Sequence, residues 1–273
     1  ASLGAGAAPA GIRRAMTRAP DGKAAGFALF LVLAGSAWAQ AAAPAADGAL
    51  AVLIRWAPLI GQGFVLNVLI SVIAMMVGTV LGLFLGLGQV AQSRWLSRPA
   101  VVATQFFRNA PWLVLLFYCI FILPFRVTLF GTTIDVPNWL RATAGLTLPV
   151  MANVSEIVRG AVQSVPSGQW EGAASLALSR RRTLWLVILP QCVKRMLPPW
   201  MNWYAILTMS TPLCSLLGVG EIISLTRQAM EAEGNRPELL IPFYGFALLL
   251  FLAYCYPIAR LTLRLERRFA VKN

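Results

Sequence analysis

Long apolar runs separated by short polar or basic connections set the pattern of this chain. Phe64–Gly88 is the first, and its 25 residues would reach about 37 Å as a helix, enough to cross a bilayer core of about 30 Å. The second span is Trp112 to Leu123. It is too short alone and is expected to begin before Pro111, near Val101. Ala142–Val162, Trp200–Val219 (broken by Pro212) and Leu239–Leu261 complete five predicted spans. Between the second and third, Val127–Ile134 alternates weakly and predicts a small hairpin. The fold class expected is therefore all-α: a polytopic membrane protein with five core transmembrane helices, a loop helix between the third and fourth, and an N-terminal signal-like segment.

Within the first span, Gly78, Gly82 and Gly86 recur every fourth residue. They place one small stripe on one helical face, a surface on which another helix packs closely.

The connection between the third and fourth spans is the most patterned. It carries the breaker Pro166-Ser167-Gly168, then an alanine-rich piece from Glu171 to Leu178, then Arg180, Arg181 and Arg182, and then Leu189-Pro190 as a stop. A short helix of small residues can lie in a groove on another protein, because small side chains let backbones approach.

Composition agrees with the pattern. The chain is 58% hydrophobic and only 12% charged over 273 residues, and its mean hydropathy is +0.71. Soluble domains are typically about half apolar and a quarter charged. The net charge of +13 would suggest nucleic acid in a soluble protein. Here the cations lie in short loops beside apolar spans, so membrane orientation accounts for them and no nucleic-acid partner is expected. Fourteen Lys and Arg fall in connections on one side and four on the other. This bias places the Glu171 loop and the C-terminus in the cytoplasm.

Residues 1–40 resemble a targeting segment, with Arg13, Arg14, Arg18 and Lys23 before an apolar run and Ala37-Trp38-Ala39 as an A-x-A cleavage site. An uncleaved extra helix and a start at Met16 are the other readings. Residues 41–60 are expected to be an extracytoplasmic linker, and 61–269 the membrane domain.

No histidine is present, which removes bis-histidine haem, histidine-ligated metal and a Ser-His-Asp triad. Cys119, Cys192, Cys214 and Cys255 form no CxxC pair and read as small buried hydrophobes. No catalytic residue, metal site or phosphate loop is expected, so any ATP is bound by another chain. Asn153, Asn202, Ser210 and Thr211 are polar groups within spans without an obvious local partner, and they are candidates for a substrate path. Glu156 and Arg159, three residues apart, are expected to pair on one helical face. That pair either anchors the cytoplasmic end of its span or belongs to the path.

The central loop resembles the permease signature of bacterial ABC importers: Glu-Ala-Ala, three residues, Gly, nine residues, Ile, any residue, Leu-Pro. Here the positions are Glu171, Gly172, Ala173, Ala177, Val187, Leu189 and Pro190. The flanks Glu156-Ile-x-Arg-Gly160, Gln163-Ser-Val-Pro166 and Gly168-Gln-Trp-Glu171 are similar to the polar amino acid subfamily. So are Phe107-Arg108-Asn109-x-Pro111 and Leu265-Glu-Arg-Arg268. The chain departs from the signature at Gly172 and Ala177. It also has Met209-Ser210-Thr211-Pro212-Leu213 where the family often has Lys-Asp-Thr-Ser-Leu, which weakens any transfer of solute specificity.

The resemblance implies one half of a type I importer in the bacterial inner membrane. Two permease subunits, identical or paralogous, would form the path among membrane lipid. A cytoplasmic ATPase dimer would bind ATP and Mg and drive it, and an extracytoplasmic solute-binding protein would deliver polar amino acids. The loop would be a coupling helix docked into the ATPase through Glu171, Gly172, Ala173, Ala174, Ala177, Leu178, Arg180, Arg181 and Arg182. Glu171 is expected to open that helix, and Ala177 to be right-handed. The rival class is a secondary transporter or channel that needs no ATPase.

Overall fold

The structure, a computed structural model, describes residues 48–129 and 132–269. The signal-like segment and its A-x-A site lie outside the described residues.

α1 runs from Ala49 to Gln89, 41 residues, or about 60 Å. It is helical well before Phe64, so residues 49–60 are not the linker expected of them. Val52, Leu53 and Ile60 are buried there against later helices, and Arg55 and Trp56 both donate to Glu233.

The second expected span is broken. α2 (Arg94–Asn109) and α3 (Trp112–Ile122) meet at 105°. Pro111 restricts the residue before it to extended backbone, and Ala110 sits at φ −69°, ψ 138°. β1 (Arg126–Leu129) and β2 (Thr132–Asp135) then form the hairpin, with Arg126 opposite Asp135 and Val127 opposite Ile134.

α4 (Asn138–Gln163) is the central helix and packs against α1, α2 and α3. The glycine stripe of α1 meets it in register. A Cβ at Gly78, Gly82 or Gly86 would stand 2.5–2.9 Å from side-chain atoms of Val150, Val154 and Val158 respectively.

α5 (Ser167–Ser175) is the loop helix. Next, α6 (Arg180–Thr183), a π-helical turn (Leu184–Ile188) and α7 (Leu189–Ser210) follow without a break. Leu189-Pro190 is therefore no stop. Pro190 has no N–H to give the carbonyl four residues earlier, and the wider π turn carries the chain past it. Pro198 and Pro199 also stay inside α7. Beyond Ser210 the chain tightens into a 3-10 helix, Thr211–Leu217, closed by Gly218 at φ 70°. α8 (Ile222–Ala232) and, after a 3-10 turn at Pro237–Leu239, α9 (Leu240–Phe269) complete the chain.

α1 and Pro237–Arg268 are each long and apolar enough to cross a bilayer. Two bent pairs, α2 with α3 and Arg180–Leu217 with α8, bring the number to four. α4 carries Asn153, Glu156 and Arg159 besides the buried Arg141, and its buried face lies against other helices rather than lipid.

The packed interior forms three clusters. The largest joins α1, α3, α4 and α7. A second joins the start of α1 to α8 and α9. A third, at the foot of α4, gathers Val162, Val165, Ile188 and Cys192 under the loop helix.

Candidate coupling helix and inner cavity

α5 is short, and its position is fixed from both ends. Pro166 is its N-cap, and its carbonyl accepts from Gln169 N–H at 3.0 Å. Trp170 packs into the cluster at the foot of α4, and the Arg180 guanidinium lies 4.9 Å from its ring centre. Gln191 of α7 donates to Gln169 Oε1 at 3.2 Å. Arg195 of α7 donates to both the carbonyl and the hydroxyl of Ser164, just ahead of the helix. A push on α5 is therefore delivered to α4 and α7 together.

The outward surface is small and mostly featureless. Glu171, Gly172, Ala174 and Ala177 are exposed, Ala173 faces inward, and a Cβ at Gly172 would meet nothing within 4 Å. Leu176 is 76% exposed. Leu178 is half-buried, and Arg180, Arg181 and Arg182 are exposed beside it.

Two local expectations are corrected. Glu171 does not open the helix: Ser167 does, and Glu171 is the fifth residue. The helix dipole acts mainly within the first turn, so it gives Glu171 little. Ala177 is left-handed, with φ 53°. The helix ends at Ser175 in a Schellman motif, in which Leu178 N–H bonds to Ala173 O (3.1 Å) and Ala177 N–H to Ala174 O (2.9 Å). Those two bonds need a left-handed residue between them, and they override the preference of alanine. α8 ends the same way with Gly234 at φ 74°.

Beside this foot, α4, α7 and Arg108 of α2 line an open polar cleft of about 400 Å³, with Asn153, Glu156, Ser164, Arg195 and Trp203 among its walls. Arg159 donates to Glu156 at 2.6 Å, and Arg108 stands 3.7 Å from the same carboxylate. Asn153 Nδ2 donates to Pro149 O at 2.8 Å, which leaves its carbonyl oxygen for a ligand. Trp203 stacks on Trp112, 6.2 Å between centres. Arg108 and Arg195 thus place two guanidiniums beside one carboxylate, with Trp203 as an aromatic wall.

The four candidate path residues do not converge. Asn153 alone lines this cavity. Ser210 Oγ bonds back to Ile206 O at 2.8 Å, and Asn202 is exposed elsewhere on α7. Thr211 belongs to a buried cluster that the sequence reading missed. There Asn67 Nδ2 donates to Thr211 Oγ1 (2.9 Å) and to Glu221 Oε2 (3.1 Å), while Asn67 Oδ1 accepts from Ile222 N–H (3.0 Å). Glu221 Oε1 caps α8 by accepting from Ser224 N–H at 2.8 Å. Gly63, one turn before Asn67, lets the Glu221–Ile222 backbone approach to 2.8 Å of where a Cβ would be. A lone asparagine in an apolar span was the visible signal.

A bundle of broken apolar helices with one exposed helix of small residues at its foot is the architecture of an importer permease. Residues 78–271 match the family model of the binding-protein-dependent transport system inner membrane component, and the chain belongs to that family. It is 32% identical over 213 residues to the probable amino-acid ABC transporter permease protein YckA of Bacillus subtilis, covering 78% of this chain and 90% of that one. It is 32% identical to the inner membrane amino-acid ABC transporter permease protein YhdY of Escherichia coli over 76% of this chain and 55% of that one. The glutamine transport system permease protein GlnP of Escherichia coli is 31% identical over 78% of this chain and 94% of its own. Among solved structures, an amino acid ABC transporter with histidines superposes with a TM-score of 0.67 at 23% identity, over 79% of this chain and 96% of that one. The inward-facing MetNI methionine ABC transporter gives 0.60 at 16%, over 77% and 96%. At those identities the likeness concerns the fold alone.

Proposed function

We propose that this chain is the permease subunit of an ATP-driven importer of polar amino acids, coupled to its ATPase through α5. The single observation that carries the reading is the geometry of α5. It is an exposed helix of small residues whose ends are tied to α4 by the chain itself and to α7 by Gln191 and Arg195. Such a helix can transmit a rigid-body shift into the helices that border the path. The amino acid reading draws on the names of the relatives and on the mixed-charge cavity at the foot of α4.

In this reading five spans cross the inner membrane, α4 being the central one, and the C-terminus is cytoplasmic. A second permease subunit completes the path. A solute-binding protein delivers the amino acid on the outer side. ATP and Mg are held and ATP is hydrolysed by a cytoplasmic ATPase dimer, and this chain contributes no catalytic group.

The test is reconstitution in proteoliposomes with the partner ATPase and the cognate binding protein. The reading expects ATP hydrolysis to rise when the binding protein carries a polar amino acid, and uptake to stop without ATP. Uptake that continues without an ATPase subunit would make the chain a secondary transporter or channel and overturn it.

A further inference from the structure

Arg141 is the most deeply buried cation among the described residues, at 2% exposure, and every partner it has is neutral. Its Nη1 donates to Ile120 O at 2.8 Å, at the end of α3, and its Nη2 donates to Asn138 Oδ1. The Phe125 ring lies 3.8 Å from the guanidinium carbon. Nε is buried and makes no hydrogen bond to any described residue. No described carboxylate lies within ion-pair distance of Arg141. The residue also sits in the first turn of α4, where the helix dipole disfavours a cation. A buried charge without a counter-charge is costly, so an anion is the missing partner.

Arg141 also forms one wall of a groove of about 410 Å³ between α1, the hairpin and α4. Ile73 and Val77 of α1, Val127 and Val136 around the hairpin, and Leu140 and Ala144 of α4 line it. Its walls are otherwise nearly all carbon. Val77 and Leu140 are 45% and 42% exposed, so the groove opens on the apolar flank of the bundle. A cavity with one cation and a long carbon wall fits an amphiphile, not a free amino acid or a nucleotide.

We propose that this groove holds one anionic phospholipid, its phosphate at Arg141 and an acyl chain along Ile73, Val77 and Ala144. Phe125 is 59% exposed and its ring lies over the guanidinium, so turning the ring outward uncovers that face of the cation for the headgroup. Phosphate oxygens then supply the charged acceptor that the guanidinium lacks. The lipid ties the hairpin to α1 and α4.

The full chain is purified in non-ionic detergent, delipidated, and titrated with phosphatidylglycerol or with diacylglycerol of the same acyl chains. Native mass spectrometry and thermal unfolding are the readouts. One phosphatidylglycerol should be retained per chain and should raise the unfolding temperature. Diacylglycerol, which has the acyl chains without the phosphate, should be held about tenfold more weakly, as expected for loss of a charge-assisted contact. Arg141→Leu should abolish the difference. If that variant does not fold, Ala144→Trp, which fills the groove and keeps the cation, should lose the retained lipid. Equal retention of the two lipids, a preference that survives Arg141→Leu, or retention unaffected by Ala144→Trp would overturn the proposal. So would inorganic phosphate raising the unfolding temperature as much as the lipid does.

Discussion

Gly82 and Val154 are packed so closely that a Cβ on the glycine would stand 2.7 Å from the valine Cβ and equally close to Met151 O. Neither neighbour is the flexible end of a side chain, so neither can yield cheaply. Gly82→Val should therefore push α1 off α4 and cost about 1–3 kcal/mol. Gly172→Ala, where a Cβ meets nothing, is the control and should leave the thermal midpoint unchanged or slightly raised. An unchanged midpoint for Gly82→Val in detergent would contradict the helix contact.

The Asn67–Glu221 clamp makes a second claim. Both Glu221 oxygens accept, one from Asn67 and one from Ser224 N–H. A glutamine has one acceptor oxygen, so Glu221→Gln must leave one buried donor unmatched, at a cost of about 1–3 kcal/mol. Alanine at Asn67 and Glu221, singly and together, should show a coupling of about 0.5–3 kcal/mol in a double-mutant cycle. Additive effects would mean that the two side chains do not share the load.

Ala177 permits a test in the opposite direction. Its left-handed backbone costs about 1–2 kcal/mol relative to the right-handed one, and glycine would remove that. Glycine also makes the unfolded chain more flexible, which costs about 0.4–1 kcal/mol. The net effect of Ala177→Gly should be a gain of about 0–1.6 kcal/mol, read as slower amide exchange at residues 177 and 178. Faster exchange there would contradict the Schellman geometry.

The tie at the far end of α1 should depend on pH. The Trp56 indole N–H, and then Arg55, hold the Glu233 carboxyl below its ordinary value. Because the folded value is the depressed one, the tie contributes stability above the unfolded value of 4.5. That stability is lost as pH falls through the folded value. Thermal unfolding followed from pH 6 downward should fall more steeply for the native chain than for Glu233→Gln. Parallel curves would mean that Glu233 contributes nothing to this dependence.

Much of this fold was legible because membrane spans and helix-packing glycines are local signals. The runs at Phe64, Ala142 and Leu239 all became helices, and the glycine stripe lies on the face that α4 covers. Proline was the weak point. Pro111 bends the chain by 105°, whereas Pro149, Pro198 and Pro199 stay inside helices. What decides is whether neighbours re-satisfy the freed carbonyls, and that depends on tertiary packing. The place of α5 was readable from its small residues between Pro166 and the arginines. The handedness of Ala177 was not, since two carbonyls of the preceding turn set it. Asn67 and Glu221 are 154 residues apart, and no local pattern joins them. Ser210 and Thr211 looked unpartnered because Ser210 donates to a backbone carbonyl of its own helix, while Thr211 donates to the Thr208 carbonyl and accepts from the distant Asn67.

Coupling through α5 is the central claim, and Glu171→Lys tests it most directly. Glu171 is exposed, lies beyond the first turn of its helix and has no side-chain partner among the described residues. Its local contribution to stability is therefore small, and the reversal should leave the chain inserted and folded. Binding-protein-stimulated ATP hydrolysis should be measured in proteoliposomes holding the variant with its partner ATPase. The account predicts that stimulation is lost, or that the ATPase no longer copurifies, while thermal unfolding of the permease is unchanged. Stimulated hydrolysis near the native rate would contradict it.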